Sequence, residues 1–312
     1  CLSVLLPLVT ADFAERHGPP PGRGMAVVAL GKLGTREMTA GSDLDLLTVY
    51  DAAGAETSAG PRPLPPTAYY PRLTKALVAA LTAPTAEGRL YEVDMRLRPS
   101  GRSGPVAVAF ESFQRYHAEG AEVWEHLALS RARVVTSCGP NAEDLATAMR
   151  SAIEAALARR RGRADTLAEA AAMRARLIEA HAAERTQPWA LKHTAGGMME
   201  IEFLAQTGAL YTGAGFGLRG PEMLDAVGAT GWLDRSEAGR LAKTLSLLHR
   251  LQQVERAAVD RPTAPEGFGE GLRHALARAG GMQDFAALTD VLTASTTAAA
   301  RIAEARFDGI AR

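Results

Sequence analysis

The chain has 312 residues, 47% hydrophobic and 22% charged, the balance of a soluble protein with a real core and, at this length, of two domains. Its 35 basic residues equal its 35 acidic ones, which argues against a general nucleic-acid binder while leaving room for a local basic site. Cys1 and Cys138 have no partners at metal-ligand spacing and are too few for a disulfide scaffold, and no run of 18 apolar residues is present to span a membrane, so a reducing cytoplasm is the expected compartment.

Residues 1–17 predict a helix, its apolar start Cys1–Thr10 belonging to the core, that ends at the Pro/Gly stretch His17–Gly24. Met25–Leu30 is a short apolar run bounded by glycines, a buried strand. Gly31-Lys-Leu-Gly34 reads as a turn, residues 35–40 as one or two helical turns, and Leu44–Tyr50 as a second buried strand. A surface loop rich in Ala, Gly, Ser and Pro covers 51–66. A helix is expected over 68–82, with Tyr70, Leu73, Leu77 and Leu81 on one face, and a third strand over Arg89–Arg98. Two helical segments fill 110–133, with Phe113, Tyr116, Trp124, Leu127 and Leu129 as candidate core. Beyond Cys138-Gly-Pro140 strand signals fade, and helices are expected at 141–160, 165–185, 197–211, 235–258, 268–279 and 283–308. The arginine run 159–163 reads as a solvated break. The expected fold is therefore α+β, a small mixed sheet in a catalytic domain over 1–140, followed by an all-α helical bundle over 141–312.

Three acids carry the chemistry. Asp43 and Asp45 are two apart and point the same way at the mouth of a strand that is apolar on both faces. Such a pair is costly unless neutralised, and Mg²⁺ suits carboxylate oxygens while leaving positions for phosphates; solvated loop acids are the alternative. On the third strand Tyr91, Val93, Met95 and Leu97 alternate with Glu92, Asp94, Arg96 and Arg98, which puts Asp94 on a charged face. The Leu33-Gly34-Thr35 turn between strand and helix offers backbone N–H groups to phosphate, or is a simple tight turn. Together these suit an in-line displacement at phosphorus between two metals about 3.5–4 Å apart. Asp43 and Asp45 would bridge both ions, and Asp94 would complete the site of the one that activates the nucleophile. Lys32, Arg96 and Arg98 are candidate phosphate contacts, with an ion pair to Asp94 as the alternative for the two arginines. Ser42 either donates to phosphate or caps its turn. Glu200 and Glu202 read as favourable charge at a helix N-terminus. His126 is expected to pack, and His193 has no metal-like partner at useful spacing.

Gly31-Lys-Leu-Gly34…Glu37…Gly41-Ser-Asp-Leu-Asp-Leu46 resembles the DNA polymerase β-like nucleotidyltransferase superfamily. More closely, that segment, Leu90–Gly101, Trp124–Val134 and Leu191–Phe203 resemble the bifunctional glutamine synthetase adenylyltransferase family of bacteria. Thr35 stands where that family usually has Gly, and Glu200 where it often has Asp. The resemblance implies the adenylylating, C-terminal half of a larger enzyme. It also implies ATP as substrate, two Mg²⁺ ions, a tyrosine of glutamine synthetase as acceptor, and the PII signal protein and glutamine as regulators, with no nucleic-acid or membrane partner. The related deadenylylating or PII-uridylylating activities, or a catalytically dead nucleotide- or PII-binding module, are the alternatives.

Overall fold

A computed structural model of the chain describes residues 1–89, 91–158, 163–259 and 264–308. It divides into two compact units, residues 1–36 with 41–159, and residues 37–40 with 160–312. The first ends later than the expected 140, because the helix over Ala142–Ala158 buries Leu145, Met149 and Ile153 against the sheet. The arginine run lies outside the described residues except for Arg163, where a helix begins.

In the first unit, helix α1 (Leu2–His17) leads to strand β1 (Gly24–Ala29), the one-turn helix α2 (Gly31–Gly34) and strand β2 (Leu44–Asp51). Helix α3 (Pro66–Thr82), strand β3 (Val93–Asp94), strand β4 (Ala107–Ala109) and helices α4 (Phe110–Arg115) and α5 (Val123–Leu129) follow, before strand β5 (Arg133–Cys138) and helix α6 (Ala142–Ala158). The sheet is mixed, in the order β3-β2-β1-β5, with β4 also on β2. β1 runs antiparallel to β2 and β5, whereas β2 is parallel to β3 and β4. Every residue of β1 is buried, as its Gly-bounded apolar run predicts. α3 buries Tyr70, Leu73, Leu77 and Leu81, the expected stripe.

Several expectations change. α1 is no core helix throughout: only Leu2, Leu6 and Thr10 are buried, one stripe at a spacing of four, while Val4 and Leu8 stay exposed. The helical turn near 35–40 instead spans 31–34, and Arg36, at φ +62°, stops it. The third strand shrinks to two residues, because Asp94 Oδ1 accepts the Arg96 N–H at 2.8 Å and turns the chain. β4 and β5 went unread: both are short, and Arg133–Cys138 lacks an alternating pattern of polar and apolar residues.

The second unit holds helices α7 (Arg163–Ala180), α8 (Met198–Thr212), α9 (Gly220–Ala229), α10 (Arg235–Ala258), α11 (Glu270–Gly280) and α12 (Phe285–Asp308). α9, flanked by glycines at 217, 220 and 231, is the one the sequence reading omitted. α10 is the hub and packs against α8, α9, α11 and α12 through Leu241, Leu245, Leu248 and Leu251. Trp189 stacks on Phe285, with Phe268 edge-on. Residues 37–40 join this unit: Glu37 Oε1 accepts the Gly220 N–H at 3.1 Å, and Gln253 Nε2 donates to the Met38 carbonyl at 2.7 Å. No described helix is long and apolar enough to cross a membrane.

Glu200 does more than face a helix N-terminus. Its carboxylate, 3% exposed, accepts bonds from Arg174, from Arg185 at 3.2 Å and from the Gly196 N–H at 2.9 Å. Removing a buried acid that satisfies two arginines strands both charges. Glu200→Ala is therefore expected to lower the stability of this unit by about 2–4 kcal/mol, read from urea unfolding followed by circular dichroism. Glu200→Ala unfolding at the unaltered urea midpoint would show that the network contributes nothing.

Candidate active site

Two of the three predicted acids are paired in the first unit, and the third lies within electrostatic range of them. β2 lies parallel to β3 with Asp45 as the Cα partner of Asp94, so the two side chains share one face on strands about 4.8 Å apart. Asp43 is exposed in the chain leading into β2, two residues before Asp45. Its charge reaches Asp45, as does that of Asp94.

The turn after β1 presses against this cluster. Leu30 donates its N–H to the Asp45 carbonyl at 2.9 Å. Gly31 sits at φ +50°, and a Cβ there would overlap Asp45 Oδ2. Glycine is thus required at 31 both for its backbone conformation and for the approach of the carboxylate.

The two paired acids have opposite electrostatics. Burial first, then the charges of Asp94 and Asp43, push Asp45 up to about 6; Arg131 and Arg96 oppose this only in part. Asp94 is held below the usual carboxylate range, chiefly by hydrogen bonding to Arg96, whose Nε donates to Oδ2 at 2.7 Å. Arg96 is itself well exposed, so little packing holds it there.

The other expected contacts divide. Lys32 on α2 and Ser42 beside Asp43 are half-buried near the ends of the strands that carry the acids. Gly34 and Thr35, expected to cradle phosphate, are both buried. Gly34 donates its N–H to the Leu30 carbonyl at 2.8 Å and abuts the Arg131 carbonyl, while the Thr35 hydroxyl accepts from Arg131 at 3.2 Å. Arg98 does not share a strand face with Asp94. It donates to the carbonyls of Met95 at 2.7 Å and Gly104 at 3.2 Å and so clamps the loop that follows β3.

Two contributors escaped the sequence reading. Arg131 supplies positive charge to Asp45, and Arg133 donates to the carbonyls of Leu33 and Gly34, both at 3.0 Å, capping α2. Both lie in the Trp124–Val134 segment, where an arginine pair between a helix and a strand was the available signal. His126 is fully buried and packs, as expected.

Asp45 and Asp94 place two carboxylates on one face with the Asp43 charge in reach, oxygen donors of the kind hard divalent cations take, though one oxygen from each of the three does not come within 4.8 Å of the others. A small mixed sheet with acids at the mouth of one strand and opposite on its neighbour defines an α+β nucleotidyltransferase fold followed by a helical unit. The sequence model of the glutamate-ammonia ligase adenylyltransferase family matches residues 2–149, and that of the GlnD PII-uridylyltransferase matches 168–306. Over 305 residues the chain is 42% identical to the bifunctional glutamine synthetase adenylyltransferase/adenylyl-removing enzyme of Xanthobacter autotrophicus, covering 94% of this chain and 30% of that protein. It is 40% identical over 307 residues to the protein of that name from Bradyrhizobium diazoefficiens, covering 97% and 30%. With the one from Caulobacter vibrioides the identity is 40% over 312 residues, covering 98% and 31%. The chain belongs to the family of bifunctional glutamine synthetase adenylyltransferase/adenylyl-removing enzymes, and it spans about 30% of the length of the curated relatives it matches.

The raised Asp45 gives a pH-dependent test. Because its folded value of about 6 exceeds the 3.8 of an ordinary aspartate, the ionised acid opposes folding. That cost is absent below pH 4, grows between pH 4 and 6, and is complete above. In chelator, Asp45→Asn is expected to be more stable than the parent by about 2–3 kcal/mol at pH 7.5, the gap closing by about pH 4. Urea midpoints across this pH series check it, and a gap that does not depend on pH contradicts the assigned cause.

Proposed function

We propose that this chain transfers AMP from ATP to a tyrosine of glutamine synthetase, releasing pyrophosphate, and so helps regulate nitrogen assimilation in the cytoplasm. The observation that carries this reading is the pairing of Asp45 with Asp94 on one face, with Asp43 in electrostatic reach. Asp43 and Asp45 would hold two Mg²⁺ ions between them, with Asp94 completing one site. When bound, the ions stabilise the attacking and departing oxygens of an in-line displacement at the α-phosphorus.

The chain's own residues supply positioning and charge. Gly31 leaves room for Asp45 to stay against the turn, and Arg131 and Arg133 fix α2 beside it. Lys32 and Ser42 are assigned to the triphosphate. Arg96 is well exposed and free to exchange its Asp94 partner for a phosphate oxygen. Gly34, Thr35 and Arg98 frame the site. A tyrosine hydroxyl with an ordinary pKa of about 10 must lose its proton as it attacks. A divalent ion held by these carboxylates would favour the phenolate and so ease that loss. PII and glutamine are proposed as regulators.

One observation favours a second reading: the match of residues 168–306 to the PII-uridylyltransferase model points to uridylyl transfer to PII. Incubation of the purified chain with Mg²⁺, labelled ATP or UTP, and glutamine synthetase or PII separates the two. Label from ATP is expected on glutamine synthetase alone, abolished by EDTA and reduced by about 10²-fold or more in Asp43→Ala and Asp45→Ala. Label passing from UTP to PII would select the other reading. No transfer from either nucleotide would leave a binding module.

A further inference from the structure

We propose that the turn between α7 and α8 carries a second metal site, for a transition-metal ion such as Zn²⁺, built from His181, Glu184 and His193. It lies wholly in the helical unit and uses none of the aspartates. One ligand atom from each of the three residues falls within 4.8 Å of the others. Glu184 Oε2 is 3.4 Å from His181 Nδ1 and 3.9 Å from His193 Nε2.

These separations are long for N–H···O hydrogen bonds, which cluster at about 2.7–3.2 Å. They are close to what an ion imposes: four-coordinate bonds of about 2.0–2.2 Å set ligands about 3.3–3.6 Å apart. The Glu184 carboxylate, 47% exposed, needs only a small rotation to close the longer one. The two imidazoles stack nearly parallel, 3.7 Å apart, so one ring would have to tilt for both to ligate a shared ion. Two imidazoles with one carboxylate suit Zn²⁺ and its neighbours, whereas Mg²⁺ prefers oxygen alone.

The backbone holds the cluster in place. Glu184 and Arg185 both donate their N–H groups to the His181 carbonyl, at 3.0 and 3.2 Å, and His193 donates to the Ala190 carbonyl at 2.8 Å. Arg185 and Gly196, on either side of the loop, are both tied to Glu200. The three ligands therefore sit on a backbone frame ordered by other bonds, and only their side chains need adjust to take an ion. Glu184 and His193 also line a cavity of about 810 Å³, with Trp189, Lys192, Gln252 and Arg256. Three protein ligands leave a coordination position for water or for a donor group of a small molecule in that cavity.

The test is calorimetric titration of the chelator-stripped chain with ZnCl₂ in millimolar MgCl₂, which keeps the aspartates supplied with their own ion. One equivalent of Zn²⁺ is expected to bind. Glu184→Gln and His181→Asn, both outside α7 and α8, should each weaken it at least about tenfold, with far-UV circular dichroism unchanged. His274→Ala, an exposed histidine elsewhere, should bind as the parent does. Co²⁺ in place of Zn²⁺ should give the intense visible bands of a four-coordinate ion, lost in the same two variants. No Zn²⁺ binding by the unaltered chain overturns the proposal, and so does binding of parental strength in both Glu184→Gln and His181→Asn.

Discussion

The first unit depends on one register. Two residues of β3 pair with the first two of β2, and that brief parallel contact sets Asp45 beside Asp94. Parallel partners in register face the same side, so a slip by one residue would send Asp94 to the opposite face and dissolve the cluster. So short a pairing cannot hold itself. It is reinforced by the Leu44 N–H, which donates to the Glu92 carbonyl at 2.8 Å, and by Arg98, whose bonds to Met95 and Gly104 tie down the turn. The loop after β3 is thus a brace for the site.

Around that register the sheet concentrates negative charge and balances it unevenly. Arg96 keeps Asp94 ionised, while Asp45, pressed against Gly31, is left with more negative than positive neighbours. A folded protein tolerates such an imbalance where binding or catalysis recovers the cost. The rest of the unit is conservative by contrast: β1 wholly buried, α3 with one apolar stripe, α2 capped by Arg133. The strain is confined to the place where the chemistry would occur.

What the sequence made legible follows the same division. β1, β2, α3, α8, α10 and α12 carry strong periodicity or clear breaks, and the structure forms each within a few residues of its expected span. The Asp-x-Asp drew attention because acids at the mouth of a buried strand need a reason, although Asp43 itself is exposed and Asp45 and Asp94 are half-buried. The length of β3 was misread because polar and apolar residues keep alternating from Tyr91 to Arg98 after the strand has ended. Alternation records only what a strand would place on each face, and the Asp94–Arg96 bond that turns the chain leaves no trace in it. Gly34 and Thr35 were ambiguous for a related reason. Glycine after a strand is equally the mark of a phosphate loop and of close backbone packing, and the packing against Arg131 is visible only in the fold. The histidine cluster was invisible because its rings come together through a run of successive tight turns, not through any regular spacing along a helix or strand.

The helical unit offers an instructive pairing of polar clusters one short loop apart. Glu200 is buried among two arginines and a backbone N–H, and every partner is at bonding distance, so the group is spent on structure. His181, Glu184 and His193 converge as closely but are not joined by hydrogen bonds of ordinary length. If the loop were merely soft, its polar side chains would relax towards water or towards one another. Here the Glu200 network fixes both flanks of the loop, so the three groups are held together by a frame to which their own contacts add little. Convergence imposed from outside, on groups whose shared chemistry is to donate lone pairs, is the physical signature of a binding site rather than of a fold-stabilising contact.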